Sequence, residues 1–197
     1  MSEILPLFPL RTVLFPGGLL PLRIFEPRYI ALVRDCMRDT HGFGVSPIRH
    51  GGEAGEPAEP HAVGTCAEIV DFDQGQDGLL HILVKGSYRF RLLSHQLAAD
   101  QQLVGAIERI VDETSAALPI QYAQLKTVLQ KILEIESASN GQTSAVPADA
   151  AQTVYRLLER LPFSLPQKLD ILATASVDRQ IELCSSALSQ LMQKHGT

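Results

Sequence analysis

The sequence is poor in the residue patterns that announce enzymatic or metal chemistry. Its three cysteines, Cys36, Cys66 and Cys184, lie far apart and form no Cys-x-x-Cys pair, so neither a zinc knuckle nor a dithiol redox centre is specified and buried free thiols are expected. Its six histidines, at 41, 50, 61, 81, 95 and 195, never fall four residues apart as they do on a metalloprotease helix. A Gly-x-Ser-x-Gly nucleophile elbow, a Rossmann glycine fingerprint and a Gly-x-x-x-x-Gly-Lys-Ser/Thr phosphate loop are all missing. Lys and Arg number 17 against 22 Asp and Glu, for a net charge of -5. That balance offers no general attraction to phosphate backbones, and no nucleic-acid partner is expected. No uninterrupted apolar run approaches the ~18 residues of a membrane span. Met1-Ser2-Glu3 is acidic where a signal peptide is positive. A cytoplasmic protein with no membrane association is the expectation.

What the chain does have is an apolar stretch over residues 5–29, LPLFPLRTVLFPGGLLPLRIFEPRY, broken by prolines at 6, 9, 16, 21 and 27. Apolar density demands burial. Proline lacks the amide donor and holds its predecessor extended, which replaces one long helix by short strands joined by turns. Pro16-Gly17-Gly18 is the turn, and residues 13–15 and 19–25 read as strand pieces. Glu26-Pro27 opens a helix, because proline suits the first turn.

Along residues 27–38, Ile30, Val33 and Met37 share a helical face that Tyr29, Leu32 and Cys36 widen, and Thr40-His41-Gly42 stops the helix. Residues 43–48 read as a strand, and 49–60, RHGGEAGEPAEP, as an exposed loop. A strand follows over 62–72 with Val63, Thr65, Ala67 and Ile69 on one face, then a polar turn over 73–78 and a long strand over 79–93, which together predict a hairpin. Gly86 marks a bulge, a bend or a close backbone approach, and a bend of the strand is the expectation. Beyond it Tyr88, Phe90 and Leu92 alternate with Arg89 and Arg91, so both arginines are expected to point outward. Residues 102–111 supply another strand. From 114–118 the period becomes helical: Leu118, Tyr122, Leu125, Leu129 and Ile132 form one stripe, and Val154, Leu157, Leu158 and Leu161 a second. Ser164-Leu165-Pro166-Gln167 has capping-box spacing, and Val177, Ile181, Cys184, Leu188 and Leu191 form the last stripe. The class is α+β, with a β-rich subdomain over 1–115 and a helical subdomain over 116–197.

The opening stretch resembles that of the Lon N-terminal domain family, in its branch of small stand-alone members. Gly64-Thr65-Cys66-Ala67-Glu68-Ile69 and Val84-Lys85-Gly86-Ser87-Tyr88-Arg89-Phe90-Arg91 continue the likeness in the family's order. The resemblance implies a PUA-like β pseudobarrel followed by a helical bundle. It also implies recognition of unfolded or damaged polypeptides, without the ATPase and protease that accompany this domain in full-length Lon proteases.

The sequence assembles no catalytic set, and neither a cofactor nor a metal is expected. Asp71 to Gly78 is a near-miss for a calcium loop. Counted from Asp71, the sixth and twelfth positions are Gln76 and Ile82 rather than Gly and Glu, so a hairpin turn is the better reading. Glu26 and Arg28, with Arg23 nearby, fit an ion pair that orients the strand-to-helix junction. Polypeptide recognition needs an exposed apolar groove or a strand edge. Phe15, Phe25 and Tyr29 are the contact candidates for it, although large aromatics more often fill cores. The alternative is a small-molecule or enzyme-like site at the junction of barrel and helices.

Overall fold

The computed structural model describes residues 3–53, 55, 58–75, 78–111, 116–141 and 145–195. The chain divides into two compact units, Met1–Ile110 and Val111–Thr197. The first contains β1 (Glu3–Leu10), β2 (Leu19–Ile24), α1 (Pro27–Asp39), β3 (Phe43–His50), β4 (Glu59–Pro60), β5 (Val63–Gln74), β6 (Leu80–Leu97) and β7 (Leu103–Arg109). β1 pairs antiparallel with β7 and parallel with β3. Because β7, β6, β5 and β3 are joined in that order, the five strands close into a ring, with β2 attached to β6 and β4 to β3. Closure removes most of the unpaired backbone that an open sheet would expose.

The opening segment departs from its expected pattern. The first strand is β1, and residues 13–15 are not a strand. Pro6 and Pro9 are tolerated because β1 pairs with β7 over residues 3–7 and with β3 over residues 7–10. Each proline therefore lies where only one neighbour needs hydrogen bonds. Residues 14–18 cross the outside of β5 and β6 instead. The Thr65 hydroxyl donates to the Leu14 carbonyl (2.6 Å), Gly17 N–H to Gly86 O (2.7 Å) and Gly86 N–H to Gly18 O (2.9 Å). A Cβ on residue 86 would overlap the Phe15 carbonyl, so the glycine serves a close backbone approach.

This crossing overturns the outward placement of Arg89. Arg89 pairs in register with Thr65, both are fully buried, and only Arg91 is exposed. The face that alternation assigns to solvent is covered by residues that lie elsewhere in the sequence. For the same reason β5 is buried on both faces from Val63 to Ala67 rather than on one. The expected loop over 49–60 is also shorter. β3 runs on to His50, β4 pairs with it, and His50 and Arg49 both contact the Glu59 carboxylate (2.8 and 3.3 Å).

Two apolar clusters fill this unit. One joins Leu5, Leu7, Phe90, Leu92, Leu103 and Ile107. A Cβ on Gly64 would meet the Phe90 ring at 2.5 Å, so the small residue makes room for the aromatic. The other joins α1, through Tyr29, Leu32, Val33 and Cys36, to Phe8, Leu10, Ile24, Phe43, Ile82 and Val84. Helix α1 has Pro27 in its first turn, and Thr40 ends it with a left-handed φ of 54°.

The second unit contains a 3-10 turn (Ile120–Tyr122), α2 (Ala123–Asn140), α3 (Ala150–Arg160), α4 (Leu165–Ala173) and α5 (Val177–His195). α2 packs on α3, α3 on α5, and α4 on α5. α2 starts later than its stripe suggests. Leu118 precedes it, and the buried positions are Leu125, Leu129 and Leu133, a strict four-residue spacing in which Leu133 replaces Ile132. The α4 capping box forms, with Gln167 Oε1 accepting from Ser164 N–H (2.9 Å). Asp149 caps α3 by accepting from Gln152 N–H (2.8 Å). The fold is α+β, a pseudobarrel followed by helices. Among the described residues, no helix is long and apolar enough to cross a membrane.

Candidate functional site: two grooves beside helix α1

The first half of β6, residues 80–85, pairs with β2 on one side and with the second half of β5 on the other. Register aligns Leu20, Val84 and Ile69 in one cross-strand row and Leu22, Ile82 and Phe72 in the next. α1 lies on this face, and its flanks leave two grooves.

The groove beside β2 has a volume of about 290 Å³ and is lined by Phe8, Leu10, Leu22, Ile24, Phe25 and Tyr29. Arg23, Glu26 and Glu53 stand at the same groove. Phe25 follows the last residue of β2 and precedes the helix-opening Glu26-Pro27, so it belongs to neither packed element and is 57% exposed. Tyr29 is buried. Its ring stacks on Phe8 with centroids 3.8 Å apart and planes 14° from parallel, while the Arg28 guanidinium lies 4.7 Å from its centroid. Burial raises the Tyr29 hydroxyl above the ordinary tyrosine range. Arg28 pairs with Glu26 at 2.9 Å, which ties the first turn of α1 to its own N-cap.

The contact candidates therefore separate. Phe25 and Tyr29 meet at one groove. Phe15 has no exposed surface and offers nothing to a partner, because its segment is pinned across β5 and β6 by the bonds at Gly86 and Thr65.

The groove at the other end of α1, about 410 Å³, lies between Cys36, Met37 and Thr40 and β5 residues Ile69, Val70 and Phe72, with His41, Glu68 and Asp71 among its polar groups. Met37, Val70 and Phe72 are 40%, 50% and 57% exposed. Sequence reasoning missed this surface because a bulge between Ile69 and Asp71 inverts the alternation. Phe72, which a period of two puts opposite Ile69, joins it on the α1 side.

Cys36, Cys66 and Cys184 are buried and unbridged. Burial pushes their thiols up to about 12, about 11 and about 12, which holds them in the unreactive protonated form. Asp71 Oδ1 accepts from Phe72 N–H (2.9 Å). In the turn beyond, Gly75 N–H donates to Leu79 O and Gly78 N–H to Gly75 O (both 2.9 Å), as a hairpin requires; Gln76 and Asp77 lie outside the described residues. His81 sits in register between Arg23 and Asp73. Among the described residues, no three His, Cys, Asp or Glu groups converge as metal ligands.

Comparison with known proteins agrees with this architecture. The family model for the ATP-dependent protease La (LON) substrate-binding domain matches residues 4–190, and the chain belongs to that family. It is 30% identical over 191 residues to Lon protease 2 of Myxococcus xanthus, an alignment that covers 92% of this chain and 21% of that protein. The chain thus spans about a fifth of the length of the Lon proteases it matches. Among solved structures, a Lon N-terminal domain protein from Xanthomonas campestris superposes with a TM-score of 0.77 at 36% identity, covering 91% of this chain and 95% of that one. The N-terminal domain of the Mycobacterium avium complex Lon protease shares the fold, with a TM-score of 0.63 at 14% identity over 95% of this chain and 98% of that one.

Proposed function

We propose that the protein is a non-enzymatic polypeptide-binding module that receives apolar segments of unfolded or partly folded chains in the groove beside β2, with Phe25 as its principal contact. The observation that carries this reading is the exposed Phe25 ring at the edge of a groove walled by Phe8, Leu10, Leu22, Ile24 and Tyr29, in a chain whose family is a substrate-binding domain. Such a wall suits an apolar side chain without requiring one particular sequence. Phe25 supplies a flat aromatic surface, and Tyr29, stacked on Phe8, supplies a rigid floor. The groove's charged groups permit polar residues to flank the apolar one.

The test is crosslinking or pulldown of an unfolded client, such as reduced and carboxymethylated lactalbumin, by the intact chain and by Phe25→Ala. Because Phe25 is exposed, its removal is expected to leave the fold intact. Selective capture of the unfolded client by the intact chain and loss of capture in the variant support the reading. Equal capture of native and unfolded client, or none of either, ends it.

A further inference from the structure

Resting on the polypeptide-binding reading, we propose that the outer edge of β5 over residues 68–74 accepts an extended polypeptide segment as an added strand, and that it selects segments in which basic and apolar residues alternate.

β5 is paired along one side by β6 as far as Gln74. On its other side the β3 register stops at Ala67. Among the described strands, none continues that side, so the edge from Glu68 onward is open. At Phe72 the amide turns away from β6 and donates to the Asp71 carboxylate at 2.9 Å. An incoming carbonyl can replace that local acceptor. Strand addition satisfies main-chain donors and acceptors without specifying side chains, and the two faces of the added strand then supply selectivity.

Those two faces differ here. On the α1 side, Ile69 and Phe72 align with Val84 and Ile82 and border the 410 Å³ groove with Met37. Glu68, Asp71 and Asp73 align instead with Lys85, Leu83 and His81, and Glu68 and Asp71 also border the groove at the strand edge. Residues 68–74, EIVDFDQ, contain three carboxylates and no basic side chain. An added strand therefore presents alternate residues to the apolar groups of the groove, Met37, Ile69 and Phe72, and to the acids along the same edge. Apolar residues fit the first and lysine or arginine the second, since opposite charges on neighbouring strands attract. A second copy of this chain paired through the same edge would set acids beside acids, which opposes self-association.

A fluorescently labelled peptide of alternating valine and lysine, titrated into the full chain and followed by anisotropy, tests the assignment. The expected result is saturable binding that weakens with salt. Affinity should fall by about tenfold or more when every second amide of the peptide is N-methylated on one edge, and a valine–glutamate peptide should bind correspondingly poorly. The double variant Asp71→Lys/Asp73→Lys, its fold checked by circular dichroism, should reverse the preference between the two peptides. Phe25→Ala should leave valine–lysine binding unchanged while losing the unfolded client, which separates this edge from the β2 groove. Indifference to N-methylation or an unreversed preference in the double variant overturns the strand-addition site even where client capture persists. A wild-type dimer in sedimentation that the double variant dissociates also overturns it, by assigning the edge to a second copy. Capture of neither client nor peptide overturns it together with the reading on which it rests.

Discussion

The strand unit and the helical unit solve the same burial problem with contacts of different range. In the first, the stabilising pairs join distant residues: Glu3 with Ile107, Leu7 with Gly44, and Leu19 with Lys85. In the second, each helix presents a stripe set by its own spacing, as in Leu125, Leu129 and Leu133 or Val177, Ile181, Cys184 and Leu188. Local periodicity therefore governs burial in the helices. In the barrel, burial depends on what crosses each face and on where a bulge resets the alternation, and this is why Arg89 is inside and Phe72 stands on the α1 side.

Substitutions sharpen the contrast. The largest loss is expected at Gly86. A methyl group there meets the Phe15 carbonyl and must separate two pieces of backbone held by paired hydrogen bonds. Gly86→Ala should cost about 3 kcal/mol or more in urea unfolding, or prevent folding. A helical core truncation comes next. Leu157 is fully buried on α3, and Leu157→Ala should lower stability by about 3 kcal/mol through lost burial and a residual cavity. If Gly86→Ala proved milder than Leu157→Ala, the claim that backbone approach sets the tolerance of the barrel would fail.

A smaller effect belongs to a cap. Asp149→Ala removes the acceptor for Gln152 N–H and should cost about 1 kcal/mol, read as a lower urea midpoint with an unchanged slope. The smallest is a half-exposed ion pair that ties β1 to β7. Glu3 accepts from Arg109 at 2.9 Å and from Tyr88 at 3.1 Å, and the Arg109 bond holds its carboxyl below the usual range. The resulting stabilisation is present above the unfolded glutamate pKa and disappears as pH falls through the lower folded value. Glu3→Gln should thus be slightly less stable than the parent at neutral pH and equal to it in acid. A deficit that grew on acidification would contradict the assignment.

The same contrast explains what was legible in the sequence. Pro27 at the start of α1, Thr40 at its end, the Ser164–Gln167 box and the last helical stripe are local signals, and all form as written. Gly86 reads as a special position within its strand, but its close approach to Phe15, where only a residue without a side chain fits, depends on the crossing segment. The burial of Phe15 and Arg89 required knowledge of the segment that crosses the sheet. The groove at β5 required the bulge at Val70, which no period reveals. Of the three aromatic contact candidates, Phe25 alone combines a groove with an accessible ring, through its place between a strand end and a helix start.

The central claim is that this exposed ring captures unfolded chains. Its most direct measurement is the affinity of a labelled, permanently unfolded client for the parent and for Phe25→Ala, with both proteins matched in urea midpoint. Phe25→Ala should bind about tenfold more weakly or worse, as expected when one apolar anchor is removed. Equal affinity at equal stability would contradict the account and remove the β2 groove from the binding surface.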